Sequence, residues 1–381
     1  MNYNAPHRHA VIELSQSAVV HNLKVIKENT HAKEIMAVLK ANAFSHGLPE
    51  MASLSITAGA TRFGMAMLDE ALTLRDLGYI QPIDVLGLTD PRYARLAAER
   101  NITLAFSTKE SIKAAAEQLA GTGLTLKVSL PVDTGLNRIG FKSREDLVAA
   151  IQEVSAQDTL IFQSMWTHFA TADTPNVDYV DFQISEWQRL THDLPVEPNE
   201  KHFANTGIAT WYPEKINTDI VRLGIGLFGI NGSVPIMSMP FELIPALSLK
   251  AKVVNSKPLK KGDAVGYGAE YHAPNDGYLI TIPIGHSDGY PFNGSGMRAL
   301  VADGQIGHIV GGVAMDQSMI FVTNPVAVGT TVTLIGRVGD QSITMQDLAE
   351  HTQSSIVALM NDFAPRLQRI IVSLEHHHHH H

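Results

Sequence analysis

The chain has 381 residues, of which 45% are hydrophobic and 18% charged, with no cysteine and a formal net charge of −9. Such a composition can bury a substantial core. It excludes disordered chains, disulfide scaffolds and thiolate metal sites, and the acidic balance argues against nonspecific nucleic-acid binding, which needs a basic face.

Between about residue 9 and residue 230, short β-branched runs alternate with longer segments of helical period. Strands are expected at AVIEL (10–14), EIMAVLK (34–40), FGMAM (63–67), DVLGLT (84–89), ITLAFS (102–107), LTLKVSL (124–130), LIFQSMWTHF (160–169) and IVRLGIGLF (220–228). Amphipathic stretches such as 17–29, 94–100 and 109–120 lie between them. Regular strand–helix alternation implies parallel strands joined by crossover helices, and about eight units suit a (β/α)₈ TIM-like barrel. The α/β alternative, a doubly wound sheet, would want a Gly-rich turn after the first strand, and AVIELSQSAV has none. After Pro245 the strands crowd together between Gly, Asn and Asp turns, and only TMQDLAEHT (344–352) looks helical. The expected organisation is a barrel over 1–240 and a mostly-β domain over 241–373. The remaining LEHHHHHH (374–381) reads as an expression scar with an affinity tag. The N-terminus lacks the basic-then-apolar layout of a signal peptide, and no apolar run is long enough to span a bilayer. A soluble, cytoplasmic protein with no membrane partner is therefore expected.

In a barrel, catalytic groups sit at the C-terminal strand ends and in the loops that follow. That rule selects Lys40 at the end of the second strand, Asp133–Arg138 after the sixth, His168 at the end of the seventh, and Arg222–Gly229 at the last. A lysine closing an apolar strand is costly unless it is paired or used covalently. Lys40 could snorkel into solvent, or it could be a desolvated nucleophilic amine. Spacing does not choose between them.

The surrounding motifs do carry a resemblance. AVLKANAFSHG (37–47), VDTGLNRIGF (132–141), THFATAD (167–173), HFANTGIAT (202–210), VRLGIGLFG (221–229), VGYGAEY (265–271), IPIGHSDG (282–289), VAMDQ (313–317) and APR (364–366) resemble, in order, the motifs of alanine racemases. Nearly the whole untagged chain is covered, and the joint set is highly specific. The resemblance implies a pyridoxal-phosphate-dependent isomerase that interconverts L- and D-alanine and supplies D-alanine for cell-wall synthesis. It implies a homodimer with shared active sites and no metal. Lys40 would hold the cofactor as a Schiff base and act as one base, with Tyr267, donated by the second subunit, as the other. Inversion needs one group to take the Cα proton and another, on the opposite face, to return one. Arg222 would face the pyridine nitrogen, and as a permanent cation it would leave that nitrogen unprotonated. Gly224 and Ile225 would offer backbone N–H groups to the phosphate. Asn205 and Thr206 would join the cofactor site, Thr206 with a hydroxyl. His168 would pack on the ring and Arg138 would hydrogen-bond the phenolic oxygen. Arg138, Met315 and Asp316 would contact the substrate carboxylate region.

Departures from the family pattern cluster around these residues. Pro131 stands where many members carry a carbamylated lysine bracing the arginine equivalent to Arg138. Lys127, four residues earlier, does not replace it. A bound anion such as chloride, or water, is expected in the gap. Phe44 and Asp362 replace two phosphate-facing tyrosines. Along the entrance corridor His286 stands for a tyrosine, Phe292 and Gly312 stand for arginines, and their acidic partner remains as Asp173. The corridor is expected to be less positive and wider, so a racemase of broader or different amino-acid specificity is the main alternative. A pyridoxal-phosphate-binding protein without catalysis is a further one.

Overall fold

The computed structural model describes residues 5–217 and 219–373, so the expected tag lies outside the described residues. Contacts divide the chain into two compact units. One comprises Val19–Lys40 and Ala52–Ile244; the other comprises the chain up to Ala18, Ala41–Met51, and everything from Pro245 on.

The first predicted strand is real but is not part of the barrel. β1 (Ala10–Ser15) pairs antiparallel with Leu247–Lys252 and parallel with Gln368–Val372. Its alternation explains the choice. Ala10, Ile12 and Leu14 are buried on one face, while Glu13 pairs with Lys250 at 2.7 Å on the other. A barrel strand buried on both faces would not alternate in this way.

The barrel strands are β2 (Glu34–Val38), β3 (Arg62–Met65), β4 (Ile83–Leu88), β5 (Ile102–Ala105), β6 (Leu126–Pro131), β7 (Leu160–Trp166), β8 (Glu200–His202) and β9 (Ile220–Leu223). All pairings are parallel and run β8-β7-β6-β5-β4-β3-β2-β9. A bridge between Ala204 and Val221 closes the ring, with Arg222 N–H donating to the Ala204 carbonyl at 2.9 Å. The strand absent from the sequence reading is β8. Its three residues, Glu-Lys-His, are too short and too polar to register as an apolar run. The crossover helices follow their periodicity. In Lys109–Leu119, Ile112, Ala115, Ala116 and Leu119 face inward, and Thr108 caps the start by accepting from Ser111 N–H.

In the second unit the sheet runs, in spatial order, 255–259, 277–282, 318–322, 306–310, 298–301, 331–338, 247–252, 10–15 and 368–372. Met345–Thr352 is helical as expected, and Ile356–Asn361 adds a second helix that the sequence reading left unassigned.

Candidate active site

Barrel strands end where the site begins. β2 stops at Val38, so Lys40 lies beyond the strand rather than closing it. The residue is open to solvent. Partial desolvation nevertheless holds its amine below the usual lysine range, assisted by the charges of Arg138 and Arg222 and opposed by Glu70.

The five residues after Lys40 adopt the left-handed region, with φ of 54° at Ala41, 55° at Asn42, 54° at Ala43, 53° at Phe44 and 62° at Ser45. For non-glycine residues this costs about 1–2 kcal/mol each. Such strain persists only where surroundings over-determine it. Asn42 Oδ1 accepts from Leu48 N–H at 2.8 Å, Ser45 Oγ donates to the Asn361 carbonyl at 3.0 Å, and the Arg369 guanidinium donates to the Ser45 carbonyl at 2.7 Å. No propensity signal in KANAFS announces this turn.

Arg222, on β9, is buried in the barrel. Its guanidinium donates to the carbonyls of Thr167 at 2.8 Å and His202 at 3.1 Å, and to Nδ1 of His202 at 2.8 Å; His168 Nδ1 lies 3.3 Å away. Burial pulls its pKa down to about 9, Asp84 pulls it back up, and Arg138 adds a downward push. It therefore remains charged at neutral pH. His168 is held to about 3 by desolvation and by the charges of Arg222, Arg138 and Lys40, so its ring is neutral.

The loop carrying Arg138 is shaped by Asp133, whose Oδ1 accepts from the N–H groups of Gly135 and Asn137 at 3.0 and 2.9 Å. Buried Gln183 then donates to Thr134 Oγ1 at 2.9 Å and to the His168 carbonyl at 3.0 Å, and accepts from Ala170 N–H at 2.9 Å. Thr134 and Thr167 share a hydrogen bond of 2.7 Å. Gln183, on the helix Val177–Thr191, was missed by sequence reasoning because it lies in no strand-end loop. Pro131, Arg138, Thr167 and His168 line a cavity of about 10 Å³. That is about the space one water needs. Among the described residues no ion pair forms with Arg138.

Thr206 Oγ1 accepts from the N–H groups of Gly224 and Gly226, each at 3.4 Å. Ile225 begins the short 3₁₀ turn Ile225–Phe228. A Cβ on Gly226 would meet Thr206 Cγ2 at 2.8 Å, so a larger residue there would push that side chain aside. Asn205 caps the adjoining helix by accepting from Ile208 N–H at 3.0 Å. Asp173 is exposed, and its carbonyl accepts from Val234 N–H at 3.0 Å.

The second unit carries the other expected residues. Tyr267 opens a single 3₁₀ turn, Tyr267–Ala269, and is 92% exposed. Met315 and Phe292 are exposed as well, at 60% and 73%, and Gly312 is exposed. The rings of His286 and Phe292 meet edge to face, centroids 5.3 Å apart. Asp316 is held by Arg366 at 2.6 Å. Arg366 also reaches buried Asp288 at 2.7 Å, and Arg8 grips the same carboxylate at 2.6 Å. Phe44 is half-buried in its strained turn, and Asp362 is exposed.

Family comparison accounts for both units. Residues 14–232 match the family described as alanine racemase, N-terminal domain, and residues 246–371 match alanine racemase, C-terminal domain. An alanine racemase of Lactiplantibacillus plantarum is 38% identical over 370 residues, covering 96% of this chain and 98% of the relative. One from Levilactobacillus brevis is 39% identical over 367 residues, again covering 96% and 98%. The crystal structure of alanine racemase from E. faecalis superposes with a TM-score of 0.92 at 31% identity, covering 97% of this chain and 100% of that one. That of the Bacillus anthracis alanine racemase with bound L-Ala-P gives a TM-score of 0.88 at 35% identity, covering 96% of each.

Proposed function

This chain belongs to the alanine racemase family and is an isomerase interconverting L- and D-alanine, and we propose that it works with pyridoxal 5'-phosphate carried on Lys40. The observation supporting that reading is the Lys40 amine, held below the usual lysine range near Arg138 and Arg222 in the same barrel unit. A less basic amine is more often unprotonated and free to attack an aldehyde. The donor set suits the rest of the cofactor: Arg222, charged at neutral pH, would face the ring edge, and backbone N–H groups would meet the phosphate. When bound, the cofactor supplies an electron sink that makes the Cα proton removable.

The chain's own residues then divide the work. Lys40 Nζ takes or returns the proton on one face of Cα, and the Tyr267 hydroxyl does so on the other. Arg222 would donate a hydrogen bond to the ring nitrogen and keep its proton, because the guanidinium, even with its pKa lowered to about 9, is a weaker acid than a protonated pyridine nitrogen. The N–H groups of Gly224 and Ile225, with the hydroxyl of Thr206, would hold the phosphate. Neutral His168 would pack on the ring, Asn205 steadies the segment bearing Thr206, and Arg138 would orient the phenolic oxygen and the substrate carboxylate. The Met315 backbone N–H would contact the substrate carboxylate, with Asp316 beside it, its own carboxylate held by Arg366. A phenol that is 92% exposed on its own unit is available to a second copy of the chain, which supports a homodimer with shared sites. A cytoplasmic supply of D-alanine for the cell wall follows from the family. Among the described residues no helix is long and apolar enough to cross a membrane.

Protein equilibrated with pyridoxal phosphate should show a visible absorbance band that Lys40→Ala abolishes together with alanine inversion. Retention of both in that variant would overturn the assignment. The His286–Phe292 pair and exposed Gly312 favour a second reading, inversion of larger amino acids. Faster turnover of serine or lysine than of alanine would establish it.

A further inference from the structure

A (β/α)₈ barrel interior is ordinarily filled by branched apolar side chains. Here Arg222 on β9, His202 ending β8, Asp84 on β4 and Arg62 on β3 are each no more than 3% exposed. They form a file. Arg222 donates to Nδ1 of His202 at 2.8 Å. Nε2 of the same ring lies 3.4 Å from Oδ2 of Asp84, and that oxygen lies 4.0 Å from the Arg62 guanidinium. Glu200 closes the file with two hydrogen bonds from Arg62, at 2.9 and 2.6 Å. Glu34 also lies 3.6 Å from Arg62, so three carboxylates meet the two guanidiniums of the file.

The donors set a direction along this file. A guanidinium has no acceptor, so Nδ1 of His202 must present a lone pair to Arg222. Burial keeps the ring neutral by lowering its pKa, against the opposing pull of Asp84. Its one proton therefore sits on Nε2, 3.4 Å from Oδ2 of Asp84, where the attraction is electrostatic and no hydrogen bond is formed. Trp166 stacks on the ring, centroids 6.0 Å apart and planes 7° from parallel, and also lies under the Arg222 guanidinium at 5.4 Å. The ring plane is thereby fixed, and Asp84 beside Nε2 reinforces the tautomer that Arg222 selects at Nδ1. The other tautomer would point an N–H at Arg222 and a lone pair at a carboxylate, leaving both contacts repulsive.

We propose that Asp84 is a positioning residue for racemisation: it holds the Nε2–H tautomer of His202, which keeps the Nδ1 lone pair on Arg222 and so fixes the guanidinium that faces the cofactor ring. The proposal rests on the placement of Arg222 against that ring given under Proposed function. A merely structural Asp84, balancing Arg62, would affect stability without influencing His202.

Nitrogen-15 spectra of histidine-labelled holoenzyme, with the His202 signal assigned by its loss in His202→Gln, should show a protonated Nε2 and an unprotonated Nδ1. In Asp84→Asn the amide can donate as well as accept, so the tautomer preference should weaken, kcat should fall at least tenfold and KM should stay within threefold. An Nδ1–H or doubly protonated His202 in the unmodified protein would overturn the proposal. So would a folded Asp84→Asn with unchanged tautomer and kcat within twofold. Should that variant not fold, the spectrum of the unmodified protein decides alone. Failure of the cofactor reading shows itself separately, as absence of the visible band, because the His202 tautomer is measurable with or without pyridoxal phosphate.

Discussion

Gln183 donates from Nε2 to the hydroxyl of Thr134 across 2.9 Å, tying the loop that bears Arg138 to a crossover helix. The same amide holds the His168 carbonyl and the Ala170 N–H. Gln183→Leu would strand these buried groups, each costing about 1–3 kcal/mol when unpaired. Denaturant unfolding should show a loss of roughly 2–5 kcal/mol. Racemisation should weaken too, because both Arg138 and His168 lose their anchor. Unchanged unfolding would show that the amide bridge carries no load.

Tyr267→Phe should leave stability within about 0.5 kcal/mol, because the phenol is almost fully exposed on its own unit. The cofactor band should persist while alanine inversion drops by about 10²–10⁴-fold, the usual size of a lost acid–base group. If sites are shared, co-refolding Tyr267→Phe with Lys40→Ala should restore about a quarter of the activity, since half the dimers carry one intact site of two. No recovery on mixing would argue that each site is built within one chain.

Acid should weaken the fold in a defined window. His46 is fully buried, and burial lowers its pKa to about 4; His168 is held to about 3. Both are depressed relative to the unfolded value near 6.5, so the unfolded state binds more protons as pH falls. Their contribution is complete above about pH 6.5 and is lost progressively down to about 4 for His46, at about 1.4 kcal/mol per pH unit. Thermal melting from pH 7.5 to 4.5 should fall accordingly, and His46→Gln should remove part of that slope.

Ala41 has a φ of 54°, inside the strained turn after Lys40. Ala41→Gly should therefore stabilise the protein by about 0.5–1 kcal/mol, strain relief exceeding the entropy of the added glycine. In an ordinary helix the same change destabilises by about 1 kcal/mol. A loss of stability on chemical denaturation would show that the turn is not strained as its dihedrals imply.

Much of the architecture was legible because periodicity reports burial. The barrel segments 34–40, 63–67, 84–89, 102–107, 124–130, 160–169 and 220–228 are apolar runs, and each overlaps a strand. AVIEL was assigned to the barrel on position in the chain alone, and its alternation was the signal that it faces a different sheet. β8 gave no signal at all, being three polar residues whose pairing is decided by neighbours. The strand-end rule selects Lys40, Arg138, His168 and Arg222, and it passes over Gln183, His202 and Asp84. Those three lie on a helix and inside the barrel, where contacts depend on strand register rather than on spacing along the chain.

The sequence by itself determined the family, the lysine and tyrosine expected to serve as bases, and the residues that depart from family pattern, because ordered motifs survive as strings. Tertiary structure alone decided the backbone around Lys40, where five non-glycine residues share a left-handed turn held by Asn361 and Arg369. It alone also decided the orientation of Arg222, whose partners come from β7, β8 and the loops beyond them. Long-range hydrogen bonds overrule local propensity at both places, and no stretch of chain contains its own distant partners.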